Sequence, residues 1–502
     1  MTKRQQRRFS LLLILIVALG VMLLFVACPG RKHKAVNQRA DLSGAVIGVQ
    51  LGTIGDTRVT PLESDGSGTR VERYNKTGDA IQALLQGKVD AVVVDEQPAK
   101  AFVAQNPTLR ILPQAYGKEE YAFCVAKEQP QLAQRINAAI TRLRADGTLD
   151  RIVNDHLQGG MHVAYSPKNT SGPVLTIATN ATFRPYEYYE GGNIVGIDID
   201  IMRAIADQLG MQTQVEDMEF DAVITSVQTG KTDVGAAGLT VTPDRARNIT
   251  FTIPYAATRQ MIVVAKNGAA AVNGQGIGEK FRANFITDSR YLYLVQGLGN
   301  TLLIAFFAMI ISMLLGTGIA IVRFTHDTTG QLNFFNALAR LFLMVIRGTP
   351  TMVQLLIIYY VVFASADVSK VLVAIVAFGI NSSAYLAEVI RSGLVSVDRG
   401  QMEAGRSLGL THTQTLTHIL LPQAFRNVLP AMGNEFITML KETSISGYIG
   451  LADLTKGSDI IRSLTYDAIM PLGVVALIYF ILVAVLSLGV TRLEKHLAKH
   501  DK

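Results

Sequence analysis

Several residue types that would point to common protein classes are scarce or absent in this 502-residue sequence. There is no tryptophan, and the two cysteines, Cys28 and Cys124, are too few for a disulfide scaffold or a cysteine-built metal cluster. No pair of histidines stands at metal-ligand helix spacing beside a glutamate, so no metal site is predicted. The formal net charge of +7 is spread over the whole chain without a basic stripe, which argues against a nucleic-acid partner.

Charge is also scarce, at 17% of residues, whereas 49% of residues are hydrophobic, which is too apolar for a soluble chain of this length. The excess is concentrated after Tyr291, where long apolar runs recur. The sequence predicts an all-α membrane domain over residues 289–495 with five transmembrane helices, at 291–322, 348–366, 371–387, within 428–452, and at 468–491.

Residues 1–28 form a separate segment, with a basic head followed by the uncharged run Leu11 to Cys28. This pattern is typical of a signal sequence that is cleaved or of an N-terminal membrane anchor that is kept. The length of the run favours the anchor, and both interpretations remain open.

Charge bias orients the predicted spans, since cytoplasmic loops carry excess lysine and arginine. The arginine-rich stretch 391–426 and the tail 492–502 are therefore predicted to lie inside. With five spans, residues 41–265 then lie outside the cytoplasm, and the chain is a multi-pass protein of the cell (inner) membrane.

Residues 41–265 alternate strand and helix patterns, which favours α/β structure. The phrase Gly87–Asp95 matches Gly230–Gly238 in order: a helix stop, a short turn, a buried strand and a polar site at the strand end. Two similar α/β lobes predict a clamshell that binds a ligand in its cleft, at the carboxyl ends of the strands.

A set of phrases in the membrane region resembles the membrane subunit of polar amino-acid ABC importers. Three of them are Arg347–Pro350, Ala384–Glu388 and Lys441–Ser444. The fourth resembles the loop with which that family docks into its ATPase, and it consists of Glu403, Ala404, Gly405, Gly409, Ile419, Leu421 and Pro422. Gly405 stands where the family usually has alanine, and we interpret its small size as allowing the helix to seat in another protein's groove.

The resemblance implies a transporter subunit and not an enzyme. ATP and magnesium would bind to a separate cytoplasmic ATPase subunit, with no cofactor in this chain, and the pore would be a homodimer. Consistent with that division, Gly230-Lys231-Thr232 is no phosphate loop, because Thr225 stands where that motif requires glycine.

Residues 41–265 resemble a periplasmic solute-binding protein for polar amino acids, with its segments in circularly permuted order. Lobe 2 with the family's C-terminal helix is predicted at 41–156, a linker at 157–173, lobe 1 at 174–265 and a second linker at 266–288. We expect the point of permutation to lie at the hinge between the lobes, so that each lobe joins a different membrane segment. Two truncated tandem domains are the alternative.

The same resemblance implies a set of ligand contacts in the cleft. Arg245 would clamp the α-carboxylate, and Asp95 would accept the α-ammonium. The remaining predicted contacts are two donors beside the carboxylate, two aromatic walls, a lobe 2 turn and a neutral residue near the side chain: Gly238, Thr240, Phe183, Phe220, Thr53 and Asn180. A neutral Asn180 favours glutamine, asparagine or glutamate over basic amino acids.

The sequence thus predicts the substrate-binding and membrane-spanning subunit of an importer for polar amino acids. The alternative is an amino-acid-gated channel or receptor that uses the clamshell as its sensor domain.

Overall fold

The computed structural model describes residues 34–157, 165–169, 171–266, 276–364, 368–465 and 467–497. The predicted N-terminal segment 1–28 lies outside these residues, as do parts of both predicted linkers. In the described part, residues up to Ala265 form two mixed α/β sheets and a small third sheet, and residues from Ile277 onward are helical.

The first sheet defines lobe 2. Its strands are β1 (Val46–Gln50), β2 (Arg70–Tyr74), β3 (Ala91–Asp95), β4 (Leu109–Ile111), β5 (Gly117–Tyr121) and, from much later in the chain, β14 (Ala256–Ala265). The order is β2-β1-β3-β14-β4, with β5 also pairing with β14. Every residue of β1 and β3 is buried, as expected for central strands that are covered on both faces.

The second sheet defines lobe 1 and has the order β11-β7-β12-β6-β13. Its strands are β6 (Cys124–Ala126), β7 (Val174–Thr179), β11 (Gln212–Asp217), β12 (Val234–Gly235) and β13 (Ile249–Phe251). A small antiparallel sheet beside it consists of β8 (Thr182–Phe183), β9 (Glu187–Glu190) and β10 (Asn193–Val195).

Helices accompany both sheets. Those of lobe 2 are α1 (Ile54–Val59), α2 (Thr77–Leu85) and α3 (Glu96–Gln105). Those of lobe 1 are α4 (Pro130–Ala145), α5 (Thr148–Leu157), α6 (Ile197–Leu209), α7 (Phe220–Gln228) and α8 (Pro243–Ala246). Their apolar faces meet the sheets in separate cores, one for each face of lobe 2 and two for lobe 1.

The chain crosses between the lobes twice, from β5 to β6 and from β13 to β14. At these crossings the ring of Phe123 stacks on that of Tyr255, with 4.3 Å between centroids. Both lobes are thus built from one chain, and each sheet takes strands from both sides of the 157–173 segment.

The positions of β6 and β14 correct three predictions. The apolar run Met261–Ala265 pairs with β3 and β4 and fills the gap between them, so 256–265 belongs to lobe 2 and not to lobe 1. Likewise β6 belongs to lobe 1. Both hinge crossings are intact, so the predicted point of permutation does not lie at the hinge. Both ends of the binding region leave from lobe 2, and the lobes therefore do not join the membrane segments separately.

The helical region contains α9 (Ile277–Phe281), α10 (Tyr291–Thr329), α11 (Asn333–Gly348), α12 (Thr351–Ile357), α13 (Lys370–Ser396), α14 (Arg399–Ser407), α15 (His412–Thr415), α16 (Leu421–Glu442), α17 (Leu454–Thr465) and α18 (Ile469–Leu497). Of these, α10, α13 and α18 are long and apolar enough to cross a membrane. A fourth span is possible if Asn333–Gly348 and Thr351–Val362, which meet at 108°, form one broken span.

The described helices therefore give three or four candidate spans where the sequence predicts five. The span predicted at 348–366 is broken near its start, because Pro350 cannot continue α11. The weak stretch within 428–452 is occupied by α16 and a following 3₁₀ turn. Charged residues on α16, Arg426, Glu435 and Lys441, keep its hydropathy below that of a spanning helix.

Candidate functional site

A cavity lies between the two lobes. It is lined by Gln50, Thr53, Ile54, Asp95, Glu119, Asn180, Phe183, Glu187, Phe220, Ala237, Gly238, Thr240, Arg245 and Gln260. All eight residues that the sequence predicts as ligand contacts are among them, although they are scattered over almost 200 positions.

Arg245 enters the cavity from the short helix α8. The Thr242 hydroxyl caps this helix by accepting from the Arg245 backbone N–H at 3.2 Å, which fixes the base of the side chain. The guanidinium donates to the Thr240 carbonyl at 2.9 Å and, across the cleft, to the Gly52 carbonyl at 2.9 Å. The guanidinium carbon lies 5.5 Å from the centre of the Phe220 ring, so the cation contacts the aromatic ring at this wall of the cavity.

Asp95 lies at the end of β3, where the carboxyl ends of the lobe 2 strands face the cleft. Burial, and secondarily the negative charge of Glu119, raises the pKa of Asp95 to about 7. The Tyr121 hydroxyl and the Gln260 amide oppose this shift. A cation in the cavity would stabilise the charged form of this carboxyl.

Glu119 is a lining residue that sequence reasoning missed. It accepts hydrogen bonds from the Thr240 hydroxyl at 2.8 Å and the Gln260 amide at 3.3 Å. Arg58 lies 3.3 Å from its other oxygen, so its charge is balanced within the protein. The alternating pattern of β5 was the available signal, since Glu119 and Tyr121 share the buried face while Lys118 and Glu120 are exposed.

Glu187 is a second acidic residue at the wall, on β9. It is buried, and desolvation together with nearby Asp198 raises its pKa well above the usual value. Its surroundings therefore favour the uncharged form of this carboxyl over the charged form.

The neutral part of the cavity is formed by two amides from opposite lobes. The Gln50 amide donates to the Asn180 carbonyl oxygen at 3.3 Å across the cleft. Asn180 also donates to the Met218 carbonyl at 2.8 Å, and Gln50 accepts from the Thr77 hydroxyl at 2.7 Å. These bonds hold both amides in fixed orientations.

Three predicted donors line the cavity but are engaged by protein groups. The Gly238 N–H donates to Asp198 at 2.8 Å, and the Thr240 hydroxyl donates to Glu119. The Thr53 hydroxyl donates to the Gln50 carbonyl at 2.7 Å and caps α1. Gly238 is needed for space as well, because a Cβ there would lie 2.9 Å from the Phe183 ring.

The predicted ATPase-coupling residues lie on α14, in the loop after it, in the π-helical turn Leu416–Leu420 and at the start of α16. Glu403 and Ala404 are exposed, while Gly405 is buried against Thr415 and Ile419 of the same chain. The small size of Gly405 therefore serves packing within the loop, which corrects its assignment to another protein's groove. Gly409 follows with φ +89°, a backbone conformation that favours glycine.

Leu408, beside Gly409, is 82% exposed, and sequence reasoning did not single it out. Single exposed leucines are common on protein surfaces, so this exposure alone assigns no partner. In the described part of the chain, no group of three or more histidine, cysteine, aspartate or glutamate residues could hold a metal.

Comparisons with known proteins identify both parts of the chain. The family of bacterial extracellular solute-binding proteins, family 3, matches residues 175–459, a range that begins in lobe 1 and runs into the helical region. The arginine transport system permease protein ArtQ of Bacillus subtilis (strain 168) is 34% identical over 211 residues, which are 42% of this chain and 94% of that protein.

A second curated relative is also a permease. The "Probable glutamine ABC transporter permease protein GlnM" of the same strain is 35% identical over 43% of this chain and 98% of its own length. A crystal structure of an amino acid ABC transporter with histidines is 40% identical over 42% of this chain and 98% of that chain, with a TM-score of 0.38. The chain therefore belongs to the amino-acid ABC transporter permeases, non-catalytic multi-pass membrane subunits, and also carries an extracytoplasmic family 3 solute-binding domain.

Proposed function

We propose that the cleft between the lobes captures one zwitterionic amino acid and that the helical region of the same chain admits it to the cell. The observation that carries this proposal is the placement of Arg245 and Asp95 in one closed cavity with the rings of Phe183 and Phe220. A guanidinium suits an α-carboxylate, and a carboxylate suits an α-ammonium. The rings would cover the side-chain stem.

A polar, uncharged side chain fits the remainder of the cavity best. Asn180 and Gln50 offer amide donors and acceptors, and the charge of Glu119 is already balanced by Arg58. Burial raises the pKa of Glu187 and so disfavours the anion with which a basic side chain would pair. We therefore propose glutamine or asparagine, with glutamate next, ahead of arginine, lysine and histidine.

ATP hydrolysis takes place on the ATPase subunit of the ABC transporter complex, and we propose that this subunit binds magnesium with its nucleotide. We propose a pore formed by two copies of this chain, docked to the ATPase through the loop from Glu403 to Pro422. Membership of the permease family disfavours the amino-acid-gated channel that the sequence left open.

Calorimetry of the full chain in lipid nanodiscs tests the substrate class. Glutamine, asparagine, glutamate, arginine, lysine and histidine are titrated separately, and the amide amino acids are expected to bind most tightly. Tight binding of arginine would contradict the neutral preference, and binding of none of the six would contradict amino-acid capture. Copurification of an ATP-binding protein with the chain tests the partner.

A further inference from the structure

Helix α17 of the helical region contacts lobe 1 through a buried ion pair. The Lys456 ammonium lies 2.9 Å from Asp217, at the end of β11, and 3.7 Å from Glu219. The Lys456 and Asp217 side chains are each only 3% exposed. Asp217 and Glu219, together with Asp459, raise the pKa of Lys456, so this contact favours the charged lysine although burial opposes it.

The same helix contacts lobe 2 one turn later. Asp459 lies 2.9 Å from the Lys76 ammonium, which directly precedes α2, and Arg462 forms an ion pair with Asp79 in the first turn of α2. Arg462 also pairs with Asp459 at 2.6 Å, so the contacts of α17 with lobe 2 form one network.

The spacing of these residues explains how one helix reaches both lobes. Positions 456, 459 and 462 are three apart, so their side chains follow one another along one face of α17. Beside this face lies a small cavity whose lining includes Gln82 of α2, Thr182 of β8 and Ser463 of α17. The helix therefore lies over the line where lobe 2 meets lobe 1.

The two lobes are held to the helical region in different ways. Lobe 1 has several further contacts, including Lys370 with Glu216 at 3.1 Å and the ring of Tyr293 against that of Tyr189 at 5.9 Å. Among the described residues, the ion pairs between lobe 2 and the helical region are the two made by α17. Opening of the cleft around the hinge would move α2 away from lobe 1 and break those two pairs first.

We propose that the charged face of α17, formed by Lys456, Asp459 and Arg462, senses closure of the cleft by binding both lobes of its own chain at the same time. Lobe 1 stays bound to α17, and lobe 2 adds its ion pairs with α17 when the cleft closes. The inference rests on the proposed capture of a ligand in the cleft, which supplies the reason for closing. Closure is thereby communicated to the helical region within a single chain.

Photocrosslinking in the full chain in nanodiscs tests the proposal. Gln82→p-benzoylphenylalanine reports contact of lobe 2 with α17, and Tyr189→p-benzoylphenylalanine is the matched control for lobe 1. The cleft is locked shut by a short bismaleimide between Gln50→Cys and Asn180→Cys, whose wild-type amides meet across the cleft, in a Cys28→Ser background. Capture of α17 from position 82 is expected to rise about tenfold on locking, the effect of one partly buried charge pair, with capture from position 189 unchanged.

Charge variants test the network itself. Arg462→Asp should return capture in the locked chain to the unlocked level, and adding Asp79→Arg should restore it. The exchange Glu96→Arg with Arg259→Glu, at an ion pair inside lobe 2, should change nothing. Equal capture in locked and unlocked chains, or no restoration by the double exchange, would overturn the closure sensor.

The design separates the sensor from the proposed substrate. L-glutamine, added to the unlocked chain, is expected to raise capture as locking does. If locking raises capture and none of the six amino acids does, the substrate proposal fails while the sensor stands.

Discussion

At the scale of single residues, Arg245 has two tasks in the closed cleft. Its guanidinium bonds to Thr240 in lobe 1 and to Gly52 in lobe 2, so it links the lobes while it faces the cavity. Few other side chains could do both, because only arginine carries a planar fork of five donors.

Replacing Arg245 with alanine is expected to weaken amino-acid binding by roughly 30-fold or more, because truncating one partner of a buried charge pair costs about 2–5 kcal/mol. Arg247→Ala is the matched control, since Arg247 is on the same turn of chain and its side chain is 79% exposed. Calorimetry of the full chain measures both. Unchanged affinity in the Arg245 variant would remove the carboxylate clamp from the proposed site.

Asp95 makes the site sensitive to pH. Its pKa of about 7 in the structure means that the carboxyl is partly protonated at neutral pH, whereas a bound ammonium favours the charged form. Binding therefore releases a proton below pH 7. The dissociation constant should fall by up to about tenfold per pH unit from pH 5.5 to 7 and level off by pH 8.

Calorimetry in buffers with different ionisation enthalpies measures both the affinity and the proton release. Asp95→Asn is expected to bind weakly and with little dependence on pH. A wild-type affinity that stays constant between pH 5.5 and 8 would contradict the assignment of Asp95 as the ammonium acceptor.

At the scale of elements, the loop between α14 and α16 is held in a defined shape by its own packing. Gly405 allows α14 to lie against Thr415 and Ile419, and a capping box between Thr411 and Gln414 starts α15. This leaves Leu408 exposed on the loop that the proposed ATPase docking would cover.

Leu408→Asp is expected to weaken docking of the ATPase subunit by about 2 kcal/mol, roughly 30-fold, and to leave binding in the cleft unchanged. ATPase activity of the reconstituted complex as a function of subunit concentration measures the effect. Ile277→Asp is the control, because Ile277 is also 82% exposed but precedes the first membrane helix. Equal loss in both variants would point to a general defect instead of a docking site.

At the scale of the whole molecule, the geometry of the lobe 2 sheet permits the permuted order that the sequence predicts. Antiparallel β14 ends at the edge where parallel β3 and β1 begin, with Val263 opposite Val92 and Ile47 opposite Ala91. Two strand spacings, about 10 Å, separate β14 from β1. A short loop could join them, so the cut at this point removes no strand pairing.

A binding domain in the unpermuted order is therefore expected to fold. Residues 171–265 are followed by a short glycine-serine loop and residues 45–157, and the product should bind the same amino acid as the full chain with similar affinity. Circular dichroism and calorimetry check the fold and the binding. Failure of this variant to fold would show that the 157–173 connection is needed for folding and does more than join the two chain ends of the unpermuted order.

The sequence alone determined most of the local features. Uninterrupted apolar runs identified the buried strands β1 and β3 and the spanning helices α10, α13 and α18, because local hydrophobic patterns carry that signal. Motif resemblance also located the eight predicted cleft residues, all of which line one cavity. Residues at strand ends and helix starts reach the cleft through local structure. The spacing of the motifs in the sequence therefore indicated which residues line the cleft.

The tertiary structure decided whatever depends on contacts between distant segments. The lobe to which β14 belongs is set by pairing with β3, which lies more than 160 positions earlier in the chain, and β14's own apolar pattern fits either sheet. The roles of Glu119 and Glu187 depend on burial among neighbours from other elements. Helix α17 has an ordinary amphipathic sequence, and only its position at the junction of the lobes brings Lys456 to Asp217 and Arg462 to Asp79, because ion pairing requires proximity that sequence spacing does not encode.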